Sequence, residues 1–250
     1  MKSAKPVTLA LIAVAVCLTG CQSREKRQRE LAYVERPVEQ LYNAASQELD
    51  THAYDRAILL FNEVERQHPY SEWARKAMVM TAYAHYQRHN YDEAIAACQR
   101  YISLHPGGSE APYAYYLIAI SQFEQIVDIG RDQGMTERAR ASLQDVIRRF
   151  PQSEYSRDAE VKLDMVNDQL AGKEMEIGRW YLRSNQTLAA INRFRTVVSD
   201  YDTTSHSAEA LYRLVEAYLT LGMRPQALEA AATLGYNYPD SDWYAMAYNL

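Results

Sequence analysis

The sequence Pro69-Tyr70-Ser71-Glu72-Trp73 recurs in form twice further along the chain, as Pro151-Gln152-Ser153-Glu154-Tyr155 and as Pro239-Asp240-Ser241-Asp242-Trp243. The shared pattern is a proline, any residue, a serine, an acid and an aromatic residue. Proline cannot continue a helix and biases the residue before it away from the α region. Serine is a preferred N-cap, and an acid in the first turn complements the helix dipole. Each copy therefore predicts a hinge where one helix ends and the next begins.

A looser copy of the hinge, Pro106-Gly107-Gly108-Ser109-Glu110, carries one extra residue and no aromatic residue. We expect it to end one helix and start another in the same way. The aromatic residues of the other copies are expected to staple consecutive units together, because aromatics at the N-terminal entry of a helix often pack in this manner. These residues are Trp73, Tyr155 and Trp243.

Counting back from the prolines reveals a fixed spacing of small and apolar residues, with steps of 4, 12, 4 and 8. It is met by Leu41, Ala45, Ala57, Phe61 and Pro69, by Met78, Ala82, Ala94, Cys98 and Pro106, and by Leu211, Val215, Ala227, Ala231 and Pro239. A step of 4 keeps two residues on one helix face. The step of 12 crosses a short turn to an antiparallel helix, and small residues there allow close approach. This is the pattern of tetratricopeptide repeats, helix–turn–helix units of about 34 residues.

Two further units follow the spacing only in part. The third keeps Ala139, Leu143 and Pro151, with a first helix predicted over 113–129 and an insertion near 130–134. The fourth keeps Gly178, Ala190 and Phe194, has Asp202 in place of the proline, and is preceded by an extra helix predicted over 158–170. We therefore predict an all-α tetratricopeptide-repeat superhelix of about five helix pairs. It divides into an N-terminal block, 37–156, and a C-terminal block, 157–250, that ends in a capping stub. Such an array exposes a long concave surface.

Residues 1–20 have the features of an export signal. Lys2 and Lys5 precede an apolar stretch, 7–18, that is too short to span a bilayer as a stable anchor. It ends in Leu18-Thr19-Gly20-Cys21, which resembles the bacterial lipobox, where the cysteine is diacylated and becomes the new N-terminus. The alternative is an ordinary secretory peptide with a chance cysteine. Because several acyl chains anchor a protein stably, we expect Cys21 to hold the chain on a membrane, with residues 21–36 as a tether. Gln22 after the cysteine resembles the signal for export to the outer membrane.

The charge balance argues against nucleic-acid binding. The whole chain has 27 basic and 32 acidic residues, a formal charge of −5. Loss of Lys2 and Lys5 with the signal leaves 25 basic residues, so the mature chain is near −7. A nucleic-acid binder that works through a basic face has the opposite sign. A DNA-uptake factor is disfavoured for the same reason.

The sequence contains no pattern that predicts catalysis or a cofactor. His85 and His89, predicted four residues apart on one helix, could both face one metal ion. No third ligand has a sensible spacing, and a solvated polar face is the simpler interpretation. Cys98 occupies a spacing position and is interpreted as a small buried hydrophobe. Glycine-rich phosphate loops and nucleophile elbows are absent from the sequence. We therefore predict a protein that is not an enzyme and has no cofactor or metal.

Tyrosine is abundant in this chain, with 20 residues against 4 phenylalanines. In a tetratricopeptide unit the first helix lines the concave face, and the residue after the first spacing position points inward. This placement predicts an aromatic groove in the first three units, and flat amphipathic rings suit the binding of apolar and aromatic peptide side chains. Packing between repeats is the alternative for each ring. The groove residues are Tyr42, Tyr83, Tyr86, Tyr113, Tyr116 and Phe123.

A lipobox followed by about five such units resembles the BamD family, also called ComL, the lipoproteins of the outer-membrane β-barrel assembly machine. The segments 151–155, 170–174 and 200–203 resemble that family's bridge and fourth unit. The hinge at Pro106 and the short insertion after the third unit's first helix depart from some members.

The resemblance implies a scaffold on the periplasmic face of the outer membrane, anchored through Cys21. Its expected partners are the POTRA domains of the barrel-forming subunit, unfolded barrel proteins and further lipoproteins of the complex. Arg193, with Asn192 beside it, matches an arginine implicated in the POTRA contact, and the N-terminal units are implicated in binding barrel-protein signals. The alternative is another periplasmic tetratricopeptide lipoprotein that coordinates cell-envelope or cell-wall assembly.

Overall fold

The computed structural model describes residues 36–129 and 131–250, and within them the chain forms eleven helices and no strand. The predicted signal peptide, Cys21 and nearly all of the tether lie outside the described residues. The helices are α1 (Val38–Asp50), α2 (Tyr54–Gln67), α3 (Glu72–Gln87), α4 (Tyr91–Leu104), α5 (Ala111–Phe123), α6 (Gly134–Arg149), α7 (Glu154–Arg183), α8 (Thr187–Asp200), α9 (Ser207–Thr220), α10 (Arg224–Asn237) and α11 (Asp242–Tyr248).

The first ten helices form five helix–turn–helix pairs, and α11 follows as a short stub. Each helix packs mainly against its neighbours in sequence, and the first helices of consecutive units also touch, as α1 touches α3 and α3 touches α5. This nearest-neighbour stacking is the architecture of a repeat array. The prediction of an all-α tetratricopeptide-repeat fold is confirmed.

The residues of the fixed spacing form the core between paired helices. Ala45 on α1 and Ala57 on α2 have no exposed surface, and neither do Ala82 on α3 and Ala94 on α4. Cys98 is also fully buried, and burial raises the pKa of its thiol to about 12, so it packs as a small hydrophobe. The step of 12 recurs because each of these alanine pairs lies where the two helices of a unit cross, and small side chains there allow close packing.

The hinge serines cap helices as predicted, with one exception. The Oγ atoms of Ser71, Ser153 and Ser241 accept hydrogen bonds from the backbone N–H groups of Ala74, Ser156 and Tyr244, at 3.0, 3.1 and 3.2 Å. In the looser copy the prediction was wrong. Glu110, not Ser109, precedes α5, and the Ser109 hydroxyl donates to the Glu110 carboxylate instead. Helix α5 begins one residue later than the pattern predicts, so the serine lies just before the N-cap.

The turns inside the first, second, fourth and last units share a left-handed residue. His52, His89 and Asn185 have φ values of 59°, 58° and 56°, and Gly222 has 70° at the same place in the last unit. Such a residue ends a helix, and glycine or asparagine usually supplies it. The prediction that His85 and His89 share one helix was therefore wrong. Helix α3 ends at Gln87, and Nδ1 of His89 lies in the following turn, 2.7 Å from the Tyr91 hydroxyl.

The predicted bridge helix over 158–170 is not separate. It is part of α7, which runs unbroken for 30 residues from Glu154 to Arg183. Its interior contains no proline, and its two glycines mark close contacts rather than breaks. A Cβ on Gly172 would lie 2.6 Å from the Ile129 side chain, and one on Gly178 would overlap the Phe194 ring. The array thus continues through the fourth unit on one rigid helix.

The first helix of the third unit is shorter than predicted. It ends at Phe123 rather than at residue 129. The residues that follow lie along α7, where the Gln169 side chain donates to the Val127 carbonyl at 3.0 Å and Ile129 packs over Gly172. The segment after α5 is therefore held by the long helix, an interaction that helical periodicity alone does not reveal.

Candidate functional site: a tyrosine ladder and an arginine pocket

The first site is a chain of tyrosine rings on helices α3, α5 and α7. Tyr83 lies 6.5 Å from Tyr113, and Tyr155 lies 5.3 Å from Tyr113 and 5.2 Å from Tyr116, measured between ring centroids. All four rings are half-buried. We call Tyr83, Tyr113, Tyr116 and Tyr155 the tyrosine ladder. Three of its members belong to the predicted groove, and Tyr155 was predicted only as a staple.

One end of the ladder meets a carboxylate. The Tyr116 hydroxyl donates to Asp158, which also accepts from the Lys162 ammonium at 2.7 Å. Although burial works against ionisation, these two donors hold the pKa of Asp158 below its usual value. The Tyr116 phenol shows the opposite shift, because burial and the hydrogen bond to Asp158 both raise its pKa. Tyr116 is therefore held as a neutral phenol that donates its hydrogen bond to Asp158.

The remaining predicted groove residues lie around the ladder. Tyr86 packs 5.8 Å from Tyr91, and its hydroxyl donates to Glu124 at 3.4 Å. Burial, then the Glu124 carboxylate, raises the pKa of Tyr86 to about 12. Phe123 lies beneath the Lys162 ammonium, which is 5.8 Å from the ring centroid. The structure thus brings five of the six predicted residues close together on helices α3 and α5.

Tyr42 is the exception among the predicted groove residues. Its ring packs between Phe61, at 5.4 Å, and Trp73, at 4.8 Å, within the core of the first unit. Tyr212 in the last unit pairs with Trp243 in the same way, at 5.4 Å. The staple prediction for Trp73, Tyr155 and Trp243 is confirmed by these contacts. The position of Tyr42 is explained by packing between repeats.

The second site is a depression of about 200 Å³ between the end of α7 and α8. Arg193 lies in it, 41% exposed, and Nη1 of its guanidinium donates to both carboxylate oxygens of Glu174, at 3.1 and 3.2 Å. Within the described part of the chain, its Nε and Nη2 groups have no hydrogen-bond partner. Two apolar side chains of the same helices are exposed, Trp180 at 52% and Leu188 at 67%. We call this depression the arginine pocket, and it is lined by Tyr181, Ala189, Asn192, Arg193 and Thr196.

Sequence reasoning found Arg193 and Asn192 but not the side chains that shape their surroundings. Glu174 fixes the guanidinium, and Tyr181 forms one wall of the pocket. Both lie on the second half of α7, at the turn-side end of the long helix. Their spacing of seven residues places them on one helix face, which is the signal that would have identified them.

The side-chain contacts of the last two units differ in kind from those of the ladder. Arg179 on α7 pairs with Glu209 on α9 at 2.9 Å, and Arg213 pairs with Glu209 and with Glu216. The Arg213 guanidinium also lies over the rings of Tyr212 and Trp243. The last two units therefore present an ionic network where the first three present aromatic rings.

A third depression, of about 350 Å³, lies between α4, α5 and α6, and none of its lining residues belongs to either site. Ile102, Tyr115 and Ile118 supply its apolar lining.

Across residues 36–129 and 131–250 no cluster of histidine, cysteine and carboxylate side chains is suited to a metal ion. In the same part of the chain no helix has the length and apolar character needed to cross a membrane.

Stacked helix–turn–helix pairs define a tetratricopeptide-repeat scaffold. The chain matches the family model described as YfiO, outer membrane lipoprotein, over residues 34–234. It is 55% identical to the outer membrane protein assembly factor BamD of Caulobacter vibrioides over 244 residues, which cover 98% of this chain and 80% of that relative. It is 43% identical to the protein of the same name from Rickettsia prowazekii over 241 residues, 96% of this chain and 94% of that one. The chain belongs to this family of outer-membrane assembly factors.

Similar solved structures are also tetratricopeptide-repeat proteins. A thermophilic TPR protein of Thermus thermophilus covers 86% of this chain over 100% of its own length, with a TM-score of 0.41 and 18% identity. The TPR2AB domain of yeast Sti1 covers 84% of this chain and 82% of its own, with a TM-score of 0.45 and 13% identity.

Proposed function

We propose that this chain is a non-catalytic scaffold of outer-membrane protein assembly, held on the periplasmic face of the outer membrane by a lipid on Cys21. Its arginine pocket binds a POTRA domain of the barrel-forming subunit. Its tyrosine ladder, with Tyr86 and Phe123, binds signals of unfolded barrel proteins. The observation that carries the proposal is that a run of half-buried tyrosine rings and the arginine pocket, two sites of different chemistry, lie at different places on one repeat array.

The arginine pocket suits a protein interface because it combines an arginine with unused donors and exposed apolar residues. Arginine and tryptophan are enriched among the residues that carry most binding energy in interfaces. Glu174 orients one end of the Arg193 guanidinium, which leaves Nε and Nη2 to meet a partner carboxylate or carbonyl group. Trp180, whose ring lies 5.1 Å from that of Tyr181 in the pocket lining, and Leu188 are exposed apolar side chains of the same two helices.

Calorimetric titration of the chain with a periplasmic POTRA fragment tests this part of the proposal. Arg193→Glu is expected to weaken binding by about 1 kcal/mol or more, roughly fivefold. Arg195→Glu is the matched control, since Arg195 is exposed on the same helix and does not line the pocket. Equal affinities for the two variants would remove Arg193 from the site, and no binding by the parent chain would overturn the POTRA assignment.

The ladder is tested with a peptide from the C-terminus of a barrel protein. Tyr83→Ala combined with Tyr116→Ala is expected to reduce its affinity about tenfold, because two stacking rings are lost. Tyr70→Ala combined with Tyr236→Ala is the control, since both rings are almost fully exposed and lie outside the ladder. Unchanged affinity in the first double variant would assign the ladder to packing between repeats.

The anchor is tested separately from the binding sites. Cys21→Ser is expected to abolish labelling of the chain by radioactive palmitate and to release it from the outer-membrane fraction. Retention of Cys21→Ser in that fraction would contradict the lipid anchor. It would not affect the proposals for the two binding sites.

A further inference from the structure

The tyrosine ladder is bordered by carboxylates that its own packing does not require. Glu124 is exposed at the end of α5, where its oxygen accepts the Tyr86 hydroxyl at 3.4 Å. Asp158 accepts the Tyr116 hydroxyl from the first turns of α7. Glu110 precedes α5, at the end of the ladder where Tyr155 enters. Three acidic side chains thus surround one run of aromatic rings.

The tyrosines themselves respond to this negative surface. Burial, and then the charge of Glu110, raises the pKa of Tyr42. Burial followed by Glu154 and Glu110 raises the pKa of Tyr155, and burial followed by Glu124 raises that of Tyr91. Because a nearby negative charge disfavours the phenolate, these shifts agree with the positions of the carboxylates.

Two lysines lie over aromatic rings of the array, and neither pairs with Glu110 or Glu124. The Lys162 ammonium is paired with Asp158 at 2.7 Å. Lys76 lies over the Trp73 ring at 5.5 Å, at the Tyr42 end and outside the ladder. Glu110 and Glu124 therefore have no basic partner among the ion pairs of the described residues.

We propose that the tyrosine ladder prefers an extended peptide segment in which an aromatic side chain is adjacent to lysine or arginine. This inference rests on the peptide groove of the proposed function and names its ligand chemistry. The aromatic side chain packs on the ladder, while the cation lies between a ring face and the carboxylate of Glu124 or Glu110. Cations are attracted to the faces of aromatic rings, and the attraction grows when solvent is displaced. Acidic segments are rejected by the same carboxylates, which gives specificity through repulsion.

The test uses the detergent-solubilised full chain and three amidated peptides that share the same aromatic residues. Lysine, glutamine or glutamate flanks the aromatics, and fluorescence anisotropy gives the affinities. We expect the lysine peptide to bind most tightly and the glutamate peptide most weakly, about tenfold apart at low salt and closer at high salt. Glu110→Gln combined with Glu124→Gln should reduce the lysine-to-glutamine preference about threefold. Glu229→Gln, an exposed acid on α10, should leave that preference unchanged.

The outcomes separate this inference from the proposed groove. If the glutamine peptide binds the parent chain as tightly as the lysine peptide, the charge preference is overturned while the groove stands. If the preference is present but survives Glu110→Gln with Glu124→Gln in a variant of unchanged circular dichroism, its assignment to these carboxylates is overturned. If none of the three peptides binds, both the inference and the groove fail.

Discussion

The indole ring of Trp73, at the first hinge, packs against the phenol ring of Tyr42 in the preceding helix pair, with their centroids 4.8 Å apart. Tyr155 and Tyr116 repeat this relationship at the third hinge, and Trp243 and Tyr212 repeat it at the last. At the second hinge, neither the hinge position nor the facing position on the first helix of the second unit carries an aromatic residue. Ala111 occupies the hinge position and Val79 the helix position, and both are buried in one cluster. The hinge aromatic and the tyrosine therefore form a packing pair that joins consecutive units.

Removing one ring of this pair should weaken the junction between the first two units. Because Trp73 is only half-buried, Trp73→Ala is expected to destabilise by about 2 kcal/mol, less than the roughly 3–5 kcal/mol typical of a fully buried aromatic. Urea unfolding measures this, and a cycle with Tyr42→Ala should give a coupling of about 0.5–1.5 kcal/mol. Tyr70→Ala, at a ring 95% exposed in the same hinge, should change stability by less than about 0.5 kcal/mol. Additive effects of Trp73→Ala and Tyr42→Ala would show that the rings do not act as a pair.

The crossing of α7 and α8 should not tolerate an added methyl group. The Cβ atom of Gly178→Ala would overlap the Phe194 ring, which is fully buried. Overpacking typically costs about 1–3 kcal/mol, which exceeds the gain of about 0.5–1 kcal/mol from replacing a helical glycine. Thermal unfolding should therefore show a lower midpoint for this variant. Gly107→Ala is the control, because no atom lies within 4 Å of its added Cβ. A midpoint for Gly178→Ala at or above that of the parent would contradict the close crossing.

The hinge serines should differ in their contribution to stability. Ser153→Ala is expected to cost about 1 kcal/mol, since its hydroxyl oxygen accepts the Ser156 N–H at the start of the 30-residue helix α7. Ser109→Ala should be close to neutral, because Ser109 caps no helix. Denaturation by urea, compared at the transition midpoint, distinguishes the two variants. Similar losses in both would mean that the looser hinge is capped by serine after all.

Alkaline pH should destabilise the fold through Tyr86. Its pKa is raised from 10.0 to about 12 by burial and by Glu124, so the folded chain keeps this proton while the unfolded chain releases it. The stabilisation is complete below about pH 10 and is lost as the pH rises toward about 12. Urea unfolding at about pH 9 and pH 11 should show a larger loss for the parent than for Tyr86→Phe. Equal losses would place the Tyr86 phenol in an ordinary aqueous environment.

The sequence alone predicted the repeat, because small residues at a fixed spacing report where two helices cross. It also predicted the hinge caps and staples, which depend on residues close together in the chain. It failed where distant segments decide the structure. Helix α7 continues past residue 170, where the side chains of Ile129 and His206, both far away in sequence, lie close over Gly172. Helix α5 ends early because the following residues bind α7.

For the two candidate sites as well, the sequence predicted some residues, and tertiary contacts decide the rest. Periodicity placed Tyr83, Tyr113 and Tyr116 on one surface, but it also selected Tyr42, whose ring is used in packing against Trp73. Tyr116 also packs on a hinge aromatic, Tyr155, but its ring stacks with that of Tyr113 as well, whereas the ring partners of Tyr42 are Phe61 and Trp73; these partners are set by tertiary contacts. Likewise Arg193 was found by resemblance, whereas the Glu174 contact that orients it required the structure.

Site-specific photocrosslinking in intact outer membranes tests most directly the central claim that one array holds two partners at two sites. A photoreactive amino acid is placed at Tyr83 in the ladder, at Asn192 in the arginine pocket, or at Ile102 in the depression between α4, α5 and α6. We predict that position 83 captures barrel proteins during assembly, that position 192 captures the POTRA-bearing subunit, and that position 102 captures neither. Capture of the same protein from positions 83 and 192, or of neither partner from both, would contradict the account.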